Sequence, residues 1–283
     1  ESGTTVLVKN NAKLVLQGGC IENAAPKSVV YTPSAIHIGN STESGSVNGS
    51  VEIAGGTVRS NNFGISIFGT NDAQTAPTLT VSGGTIETNG YSAIAGQGQT
   101  VYGETIIYIT GGTLTSPTTA IYHPQNGELR VSGGTITGNT GIEMRSGTLY
   151  VSEQATIVTT AQTFSTTANG SGSSVFGAAI AISQHSTNNP VAVYVTGGTI
   201  EAQNDGAKAF YETDLMDDEK GNATISISNG TFNGALESEN CSEFITGGTY
   251  DESLDTTYIA PGYAADGDNN TGVVSPTAAL INT

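Results

Sequence analysis

The sequence predicts an all-β protein, and three observations support this fold class. Glycine supplies 38 of the 283 residues, about twice its usual share, whereas charged residues make up only 12 % against a usual ~25 %. Short segments of alternating apolar and polar residues, such as Glu128-Leu129-Arg130-Val131, recur along the chain and are typical of half-buried strands. The third observation is an internal repeat, which indicates the architecture.

A Gly-Gly-Thr motif marks each repeat. Complete copies begin at residues 55, 83, 111, 133, 197 and 247, and degenerate copies are Gly18-Gly19-Cys20, Ala155-Thr156 and Asn229-Gly230-Thr231. Successive threonines in the centre of the chain lie 21 or 22 residues apart, and loop insertions account for most of the longer intervals. A unit of this length is too short for the blade of a β-propeller, which needs about 40 residues and is the alternative architecture.

Each motif follows one strand and precedes a second, short apolar strand, as at Gly64–Ile67 and Gly141–Met144. Units this small bury their apolar faces only by stacking on one another. We therefore predict a right-handed parallel β-helix of about nine turns over residues 1–250 and a C-terminal cap over residues 251–283. The glycine pairs are expected at corners where backbones pack tightly or φ is positive.

The ends of the predicted solenoid need covering, because each exposes unpaired strand edges. The strands at residues 6–8 and 14–16 are expected to form the first turn or an added cap. Gly272-Val273-Val274 is expected to supply an extra strand in the C-terminal cap.

The charge balance narrows the range of partners. The chain carries 25 acidic and 8 basic residues, a net charge of −17, which argues against nucleic acid as a partner. No run of eighteen apolar residues occurs, so we expect no membrane insertion within this chain. Cys20 and Cys241 belong to no CxxC motif, and about seven predicted turns separate them, so neither a zinc site nor an internal disulfide is expected.

With the repeat written out, the chain resembles the pectate-lyase-like parallel β-helix proteins. It resembles more closely the GGT-repeat surface proteins of Gram-positive, often gut-dwelling, bacteria. The resemblance covers roughly residues 50–274 and includes the closing segments Gly247–Tyr250, Tyr258–Tyr263 and Gly272–Val274. It implies an extracellular, cell-surface location and a role in adhesion or polysaccharide contact, without indicating a ligand.

Many parallel β-helix proteins are lyases or glycosidases, so the sequence must also be tested for catalytic groups. The Gly-His and Arg-x-Lys elements of polygalacturonase-like proteins are absent, and Asp217-Asp218 falls in a predicted acidic loop. Glu143 has no evident second carboxylate for glycoside hydrolysis. The stretch Asp266–Gly272 resembles a calcium loop, but its glycine comes one place late, which favours a polar turn. We therefore expect no catalytic residue, cofactor or metal.

Two groups of residues are candidates for binding. Alternation places Tyr108, Arg130, Tyr150 and Tyr194 on the outer face of successive turns, either as a recognition surface or as a ladder that stabilises the sheet. The second group lies at the ends of the second strands and comprises Tyr122, His123, Glu143 and Arg145, near Gln184 and His185. This group forms either a polar groove or, with His37 about five turns away from His185, a set of separate histidines that cap their own turns.

These observations predict an extracellular bacterial surface protein that acts as a non-enzymatic adhesin or structural display module. Its expected partners are a glycan or a host surface protein. Two alternatives stay open: a polysaccharide lyase or glycosidase, and a subunit of an extracellular fibre that grows by end-to-end self-association.

Overall fold

The computed structural model describes residues 3–28, 33–39, 48–69, 76–98, 103–214 and 223–278. These residues form 26 strands and, at the C-terminal end, two short 3₁₀ turns, Thr256–Tyr258 and Asp268–Asn270. The first thirteen strands are β1 Val6–Val8, β2 Ala12–Leu16, β3 Cys20–Asn23, β4 Ser34–Ile38, β5 Gly49–Ile53, β6 Thr57–Ser60, β7 Phe63–Ile67, β8 Thr78–Val81, β9 Thr85–Thr88, β10 Ile94–Ala95, β11 Thr105–Thr115, β12 Thr119–His123 and β13 Gly127–Gly138. The other thirteen are β14 Thr140–Met144, β15 Gly147–Val151, β16 Thr156–Thr159, β17 Ser165–Asn169, β18 Gly172–Phe176, β19 Ala178–Ser183, β20 Val191–Ala202, β21 Lys208–Thr213, β22 Thr224–Asn233, β23 Ala235–Ser238, β24 Thr249–Tyr250, β25 Tyr263–Ala265 and β26 Gly272–Pro276.

Two long sheets organise the strands. The first sheet has nine strands in the order β1-β4-β7-β10-β12-β14-β19-β21-β23, and every neighbouring pair in it is parallel. The second sheet has fifteen strands and is parallel until β26 and β25 close it in antiparallel fashion. The molecule is therefore an all-β protein with long parallel sheets, as the sequence predicts, and this arrangement is compatible with a parallel β-helix.

The core lies between the two sheets and consists of columns of aliphatic side chains. Alternate residues of each strand point inward, so equivalent positions on paired strands stack. Ile107, Leu129, Leu149 and Val193 form one such in-register column, and none is more than 1 % exposed. The predicted inward and outward sides of these strands are confirmed.

The glycine pairs that begin at residues 18, 55 and 83 lie between two short strands of the second sheet, and those that begin at residues 111, 133 and 197 lie at a break in regular pairing inside β11, β13 and β20. At Gly133, a Cβ atom would lie 2.5 Å from the carbonyl oxygen of Thr110 on the neighbouring strand. Gly134 has φ of +80°, a left-handed conformation that favours glycine. Tight backbone packing and a positive φ thus both occur at the same corner, as predicted.

The ends of the molecule differ. β1, β2 and β3 pair in parallel with β4, β5 and β6, which makes them the first layer rather than a separate cap. At the other end, β26 contains the predicted strand Gly272-Val273-Val274 and pairs antiparallel with β24. No helix among the described residues is long and apolar enough to cross a membrane.

One insertion departs from the two-sheet plan. The strands β17 and β18 form an antiparallel hairpin between β16 and β19. All five residues of β17 are exposed, whereas Val175 of β18 is buried. The hairpin covers the outer side of the first sheet and determines which side chains there reach solvent.

Candidate functional site

The predicted outer strip exists as an in-register column, which we call the tyrosine–arginine column. Tyr108 pairs with Arg130, Arg130 with Tyr150, and Tyr150 with Tyr194, on strands β11, β13, β15 and β20. Neighbouring parallel strands lie about 4.8 Å apart, so the four side chains occupy successive steps on one face. Tyr108 is 37 % exposed, and the other three side chains are half-buried.

The side chains of the column contact one another. The rings of Tyr150 and Tyr194 stack with centroids 5.3 Å apart and an interplanar angle of 16°. The Arg130 guanidinium lies over the other face of the Tyr150 ring, with Cζ 4.0 Å from the ring centroid. Tyr150 is thus covered on both faces and cannot stack on a sugar ring. The surface that the column offers to a partner therefore consists of Tyr108, Tyr194 and the outer edges of the rings.

A carboxylate fixes the orientation of the single cation in the column. Arg130 Nε donates a hydrogen bond to Glu128 Oε2 at 2.6 Å, and this bond raises the pKa of Arg130. Both side chains are about 40 % exposed, so the pair is screened by solvent and adds little to stability. The pair holds the guanidinium in place over Tyr150.

The second predicted group lies mostly inside the molecule. We call Tyr122, Glu143 and Arg145 the buried cluster, because Glu143 is 2 % and Arg145 3 % exposed. Tyr122 and Glu143 are direct neighbours in the register of β12 and β14. Arg145 Nη1 donates to the Tyr122 hydroxyl at 2.7 Å, so the structure brings these three predicted residues together.

The polar atoms of the buried cluster bind the hairpin. Arg145 donates to the carbonyl oxygens of Ser171, at the tip of the hairpin, and Gln184. Glu143 Oε1 accepts hydrogen bonds from the backbone N–H of Val175 and the hydroxyl of Ser183, at 3.1 and 2.7 Å. The bonds to Ser171 and Val175 attach the hairpin to the first sheet.

Burial controls the ionisation of the cluster. It raises the pKa of Glu143, and the hydrogen bond from Ser183 and the charge of Arg145 offset part of that rise. Burial likewise raises the pKa of Tyr122. A carboxylate that is nearly enclosed and already hydrogen-bonded is placed to hold a structure together rather than to meet a substrate.

The three histidines occupy separate positions. His123 is fully buried on the inward side, and burial lowers its pKa to about 4, as it does for His37. His123 Nδ1 lies 3.0 Å from the carbonyl oxygen of Ser146, and this bond assigns the proton to Nδ1. The rings of His37 and Phe68 pack in a T-shaped arrangement, and His185 is hydrogen-bonded to Thr187. The histidines therefore form no common site.

Sequence reasoning missed a buried acidic pair at the end of β21. Glu212 is fully buried at an inward position and accepts hydrogen bonds from Ser238 and Asn240. Asp214 is 2 % exposed, and burial, followed by the charge of Glu212, raises its pKa to about 7. Alternation predicts an apolar residue at position 212, so no pattern in the sequence indicates an inward carboxylate. The predicted acidic residues Asp217 and Asp218 lie outside the described residues.

A cavity of about 660 Å³ opens on the outer side of the second sheet, at the corner between its two sets of strands. We call it the corner cavity. It is lined by two degenerate copies of the repeat, around Glu153 and Asn229, and by the regular copy at Gly197-Gly198-Thr199. The two degenerate copies of the Gly-Gly-Thr motif are the feature of the sequence that could have indicated this cavity.

The described residues contain neither a metal-binding cluster nor a disulfide bond. No group of three or more His, Cys, Asp and Glu side chains there is arranged to hold a metal ion. In the stretch Asp266–Gly272, Asp266 Oδ1 accepts a hydrogen bond from the N–H of Val273, as in a polar turn. Cys20 and Cys241 are both free, and Cys20 is exposed.

Comparisons with known proteins assign no family. No protein-family model matches the chain, and neither a curated protein nor a solved structure matches it significantly.

Proposed function

We propose that the chain is a right-handed parallel β-helix of about nine turns, closed by a C-terminal cap. Nine parallel strands in the first sheet support this proposal, because consecutive members of that sheet are separated in the chain by either two short strands or one long strand of the second sheet. The antiparallel strands β25 and β26 support the cap. The Gly-Gly-Thr copies support kinship with GGT-repeat surface proteins and pectate-lyase-like proteins.

We infer that the protein is an extracellular, non-enzymatic adhesion or display module of a bacterial cell surface. The observation that carries this inference is the tyrosine–arginine column, four in-register side chains with aromatic and cationic groups on an outer face. Tyrosine and arginine are over-represented in binding hot spots. A glycan is the favoured partner, and a host surface protein is the other.

The column suits an extended partner. Its steps of about 4.8 Å repeat along the stacking direction, so a linear chain lying on it meets one side chain after another. The ring edge and hydroxyl of each tyrosine offer apolar and hydrogen-bonding contacts together. Since Arg130 and Tyr194 cover both faces of Tyr150, the stacking contacts fall to Tyr108 and Tyr194.

The enzyme alternative depends on Glu143, the carboxylate among the predicted site residues. Its two hydrogen bonds and its 2 % exposure leave little room for a substrate. A lyase or glycosidase would require the hairpin to move away from the first sheet. Loss of glycan cleavage in Glu143→Gln would support that alternative.

The fibre alternative has one specific observation in its favour. Within the described residues, β1, β2 and β3 have a paired strand on one side only, and Leu7 and Val15 are 40 % and 41 % exposed. A second copy stacked on this layer would cover both side chains. Electron microscopy at increasing protein concentration should show polymers if the alternative holds, and non-reducing gels would show whether Cys20 joins them.

The test of the adhesion proposal is a glycan-array measurement. The wild type is compared with Tyr108→Ala/Tyr150→Ala/Tyr194→Ala and with the control Glu52→Ala/Thr80→Ala/Ser226→Ala, whose positions belong to the same register. Circular dichroism establishes first that all three are folded. We expect glycan binding by the wild type and the control and its loss in the tyrosine variant. Equal binding by all three would overturn the proposal for the column.

A further inference from the structure

The corner cavity exists because the stacking of corners loosens there. At the second glycine of the regular corners, from Gly56 to Gly198, an added Cβ would lie 2.7–2.9 Å from the neighbouring backbone. At Gly230 the corresponding distance is 3.4 Å. In addition, Ser152-Glu153-Gln154-Ala155-Thr156 has one residue more than the regular Ser132-Gly133-Gly134-Thr135. A wider gap and a longer corner together leave an open volume.

The floor of the cavity is a ladder of hydroxyl groups. Thr156, Thr199, Thr231 and Thr249 are direct neighbours in register and line the cavity one above the other. Their spacing is that of parallel strands, about 4.8 Å. The amides of Gln154 and Asn229 also line it. A volume of this size accommodates several rings of a polar ligand.

The charged side chains at the cavity are acidic. Glu153 lines it and is exposed, while no lysine or arginine belongs to its described lining. Glu201 lies two residues beyond Thr199 on the same face, roughly 6.8 Å along the strand. Carboxylates therefore stand on both sides of the hydroxyl ladder, and a cationic ligand gains from both.

Glu153 adopts a strained backbone conformation. Its φ is +52°, in the left-handed region where glycine is favoured and where the other corners have glycine. Strained residues of this kind cluster at ligand sites. The strain is in keeping with a carboxylate that serves binding rather than folding.

We propose that the corner cavity binds an oligosaccharide with free amino groups, that is, an amino-sugar chain. The hydroxyl ladder pairs with sugar hydroxyls, and Glu153 and Glu201 attract protonated amines. Ser152 and Thr196, which line the cavity, lie two residues from Tyr150 and Tyr194 on the same outer face. A chain in the cavity thus extends to the tyrosine–arginine column, so the inference rests on the proposed glycan-binding function and specifies its ligand class.

The test measures binding by calorimetry with three hexasaccharide probes: glucosamine hexamer, its fully N-acetylated counterpart, and galacturonic acid hexamer. The first two share a backbone and differ in charge. We expect the glucosamine hexamer to bind the wild type most tightly, the acetylated probe about fivefold more weakly, and the acidic probe not detectably. Binding of the glucosamine hexamer should weaken with added salt.

Two variants of the cavity have matched controls. Glu153→Gln should weaken binding of the glucosamine hexamer about fivefold, whereas Glu243→Gln, an exposed glutamate that also has a positive φ, should leave it unchanged. Thr156→Val/Thr199→Val/Thr231→Val should weaken it at least about tenfold. The same change at Thr85, Thr113 and Thr135, earlier in the same column, should have no effect.

Several results would overturn the inference: no binding of the glucosamine hexamer, equal binding of the three probes, or cavity variants that match their controls. If the glycan array still shows binding that depends on the tyrosines, the adhesion proposal stands and only the inference fails. If the cavity variants lose binding and the tyrosine variant does not, the inference stands and the column is not the contact surface.

Discussion

The tyrosine–arginine column and the buried cluster are built from the same residue types in opposite environments. Each contains an arginine close to a tyrosine, at positions that point away from the core. Arg130 keeps 43 % of its side chain exposed and pairs with Glu128, whereas Arg145 is 3 % exposed and donates to backbone carbonyl oxygens. The difference comes from the hairpin, which covers the first sheet at Glu143 and Arg145.

The contrast shows that an outward position is not the same as an accessible one. Strand alternation decides which side chains leave the core, and an insertion elsewhere in the chain decides which of them meet solvent. An exposed arginine remains available to a partner. A covered one becomes part of the structure, since its hydrogen bonds replace water.

The largest expected effect separates the two arginines. Arg145→Ala should lower the free energy of unfolding by about 3 kcal/mol, because it leaves buried carbonyl groups without a donor. Arg130→Ala should lower it by about 1 kcal/mol or less, because its ion pair is exposed and its contact with Tyr150 is a single cation–π interaction. Urea unfolding of both variants measures the difference. Equal losses would contradict the assignment of different roles.

The second-largest expected effect concerns the close packing of the glycine corners. This packing sets the strand register on which the tyrosine–arginine column and the buried cluster both depend. Gly133→Ala should cost about 2 kcal/mol, since its Cβ would meet the Thr110 carbonyl oxygen at 2.5 Å and force the strands apart. Gly18 is the equivalent glycine of the first corner and has no atom within 4 Å of the Cβ position. Gly18→Ala is the matched control and should be close to neutral in the same unfolding measurement. A large loss in both variants would mean that crowding is not the reason for the glycine.

The third expected effect is a pH dependence caused by Asp214, on which the charges of Glu212 and Arg145 act. The pKa of Asp214, raised to about 7 from 3.8, means that the folded protein favours the neutral acid. The free energy of unfolding should therefore fall as the pH rises from about 4 through about 7, and Asp214→Asn should remove that part of the fall.

Asp255 provides the control for this pH dependence. Its hydrogen bonds from Thr257 lower its pKa, so its contribution is present above the ordinary pKa and is lost as the pH falls. Asp255→Asn should change the acid side of the profile and leave the fall towards pH 7 in place. An unchanged profile for Asp214→Asn would contradict the assigned burial.

Much of the fold could be predicted from the sequence, because the same pattern of glycine pairs and alternating residues recurs from repeat to repeat. The glycine pairs, the inward aliphatic columns and the in-register tyrosines follow from spacing and alternation alone. The covering of Glu143 could not be predicted in this way, because it depends on where an insertion folds back. The inward Glu212 breaks the alternation rule, and its partners lie later in the chain: Ser238 at the end of β23, and Asn240 two residues after it.

The smallest expected effect lies within the column. Tyr194→Ala removes one stacked ring and should lower the free energy of unfolding by about 0.5–1 kcal/mol. Ser226→Ala, the next position in the same register, should be near neutral. Thermal unfolding of the two variants, compared at the same pH, checks this. A loss of several kcal/mol for Tyr194→Ala would make the column a stabilising ladder rather than a surface kept for a partner.

The central claim is that the exposed column binds a partner while the buried cluster holds the hairpin. The most direct measurement incubates one array-identified glycan with the wild type, the triple tyrosine variant and Glu143→Gln, and records both binding and the chain length of the recovered glycan. The account predicts binding by the wild type and Glu143→Gln, loss of binding in the tyrosine variant, and an uncut glycan throughout. Glycan that is shortened by the wild type and left intact by Glu143→Gln would contradict it.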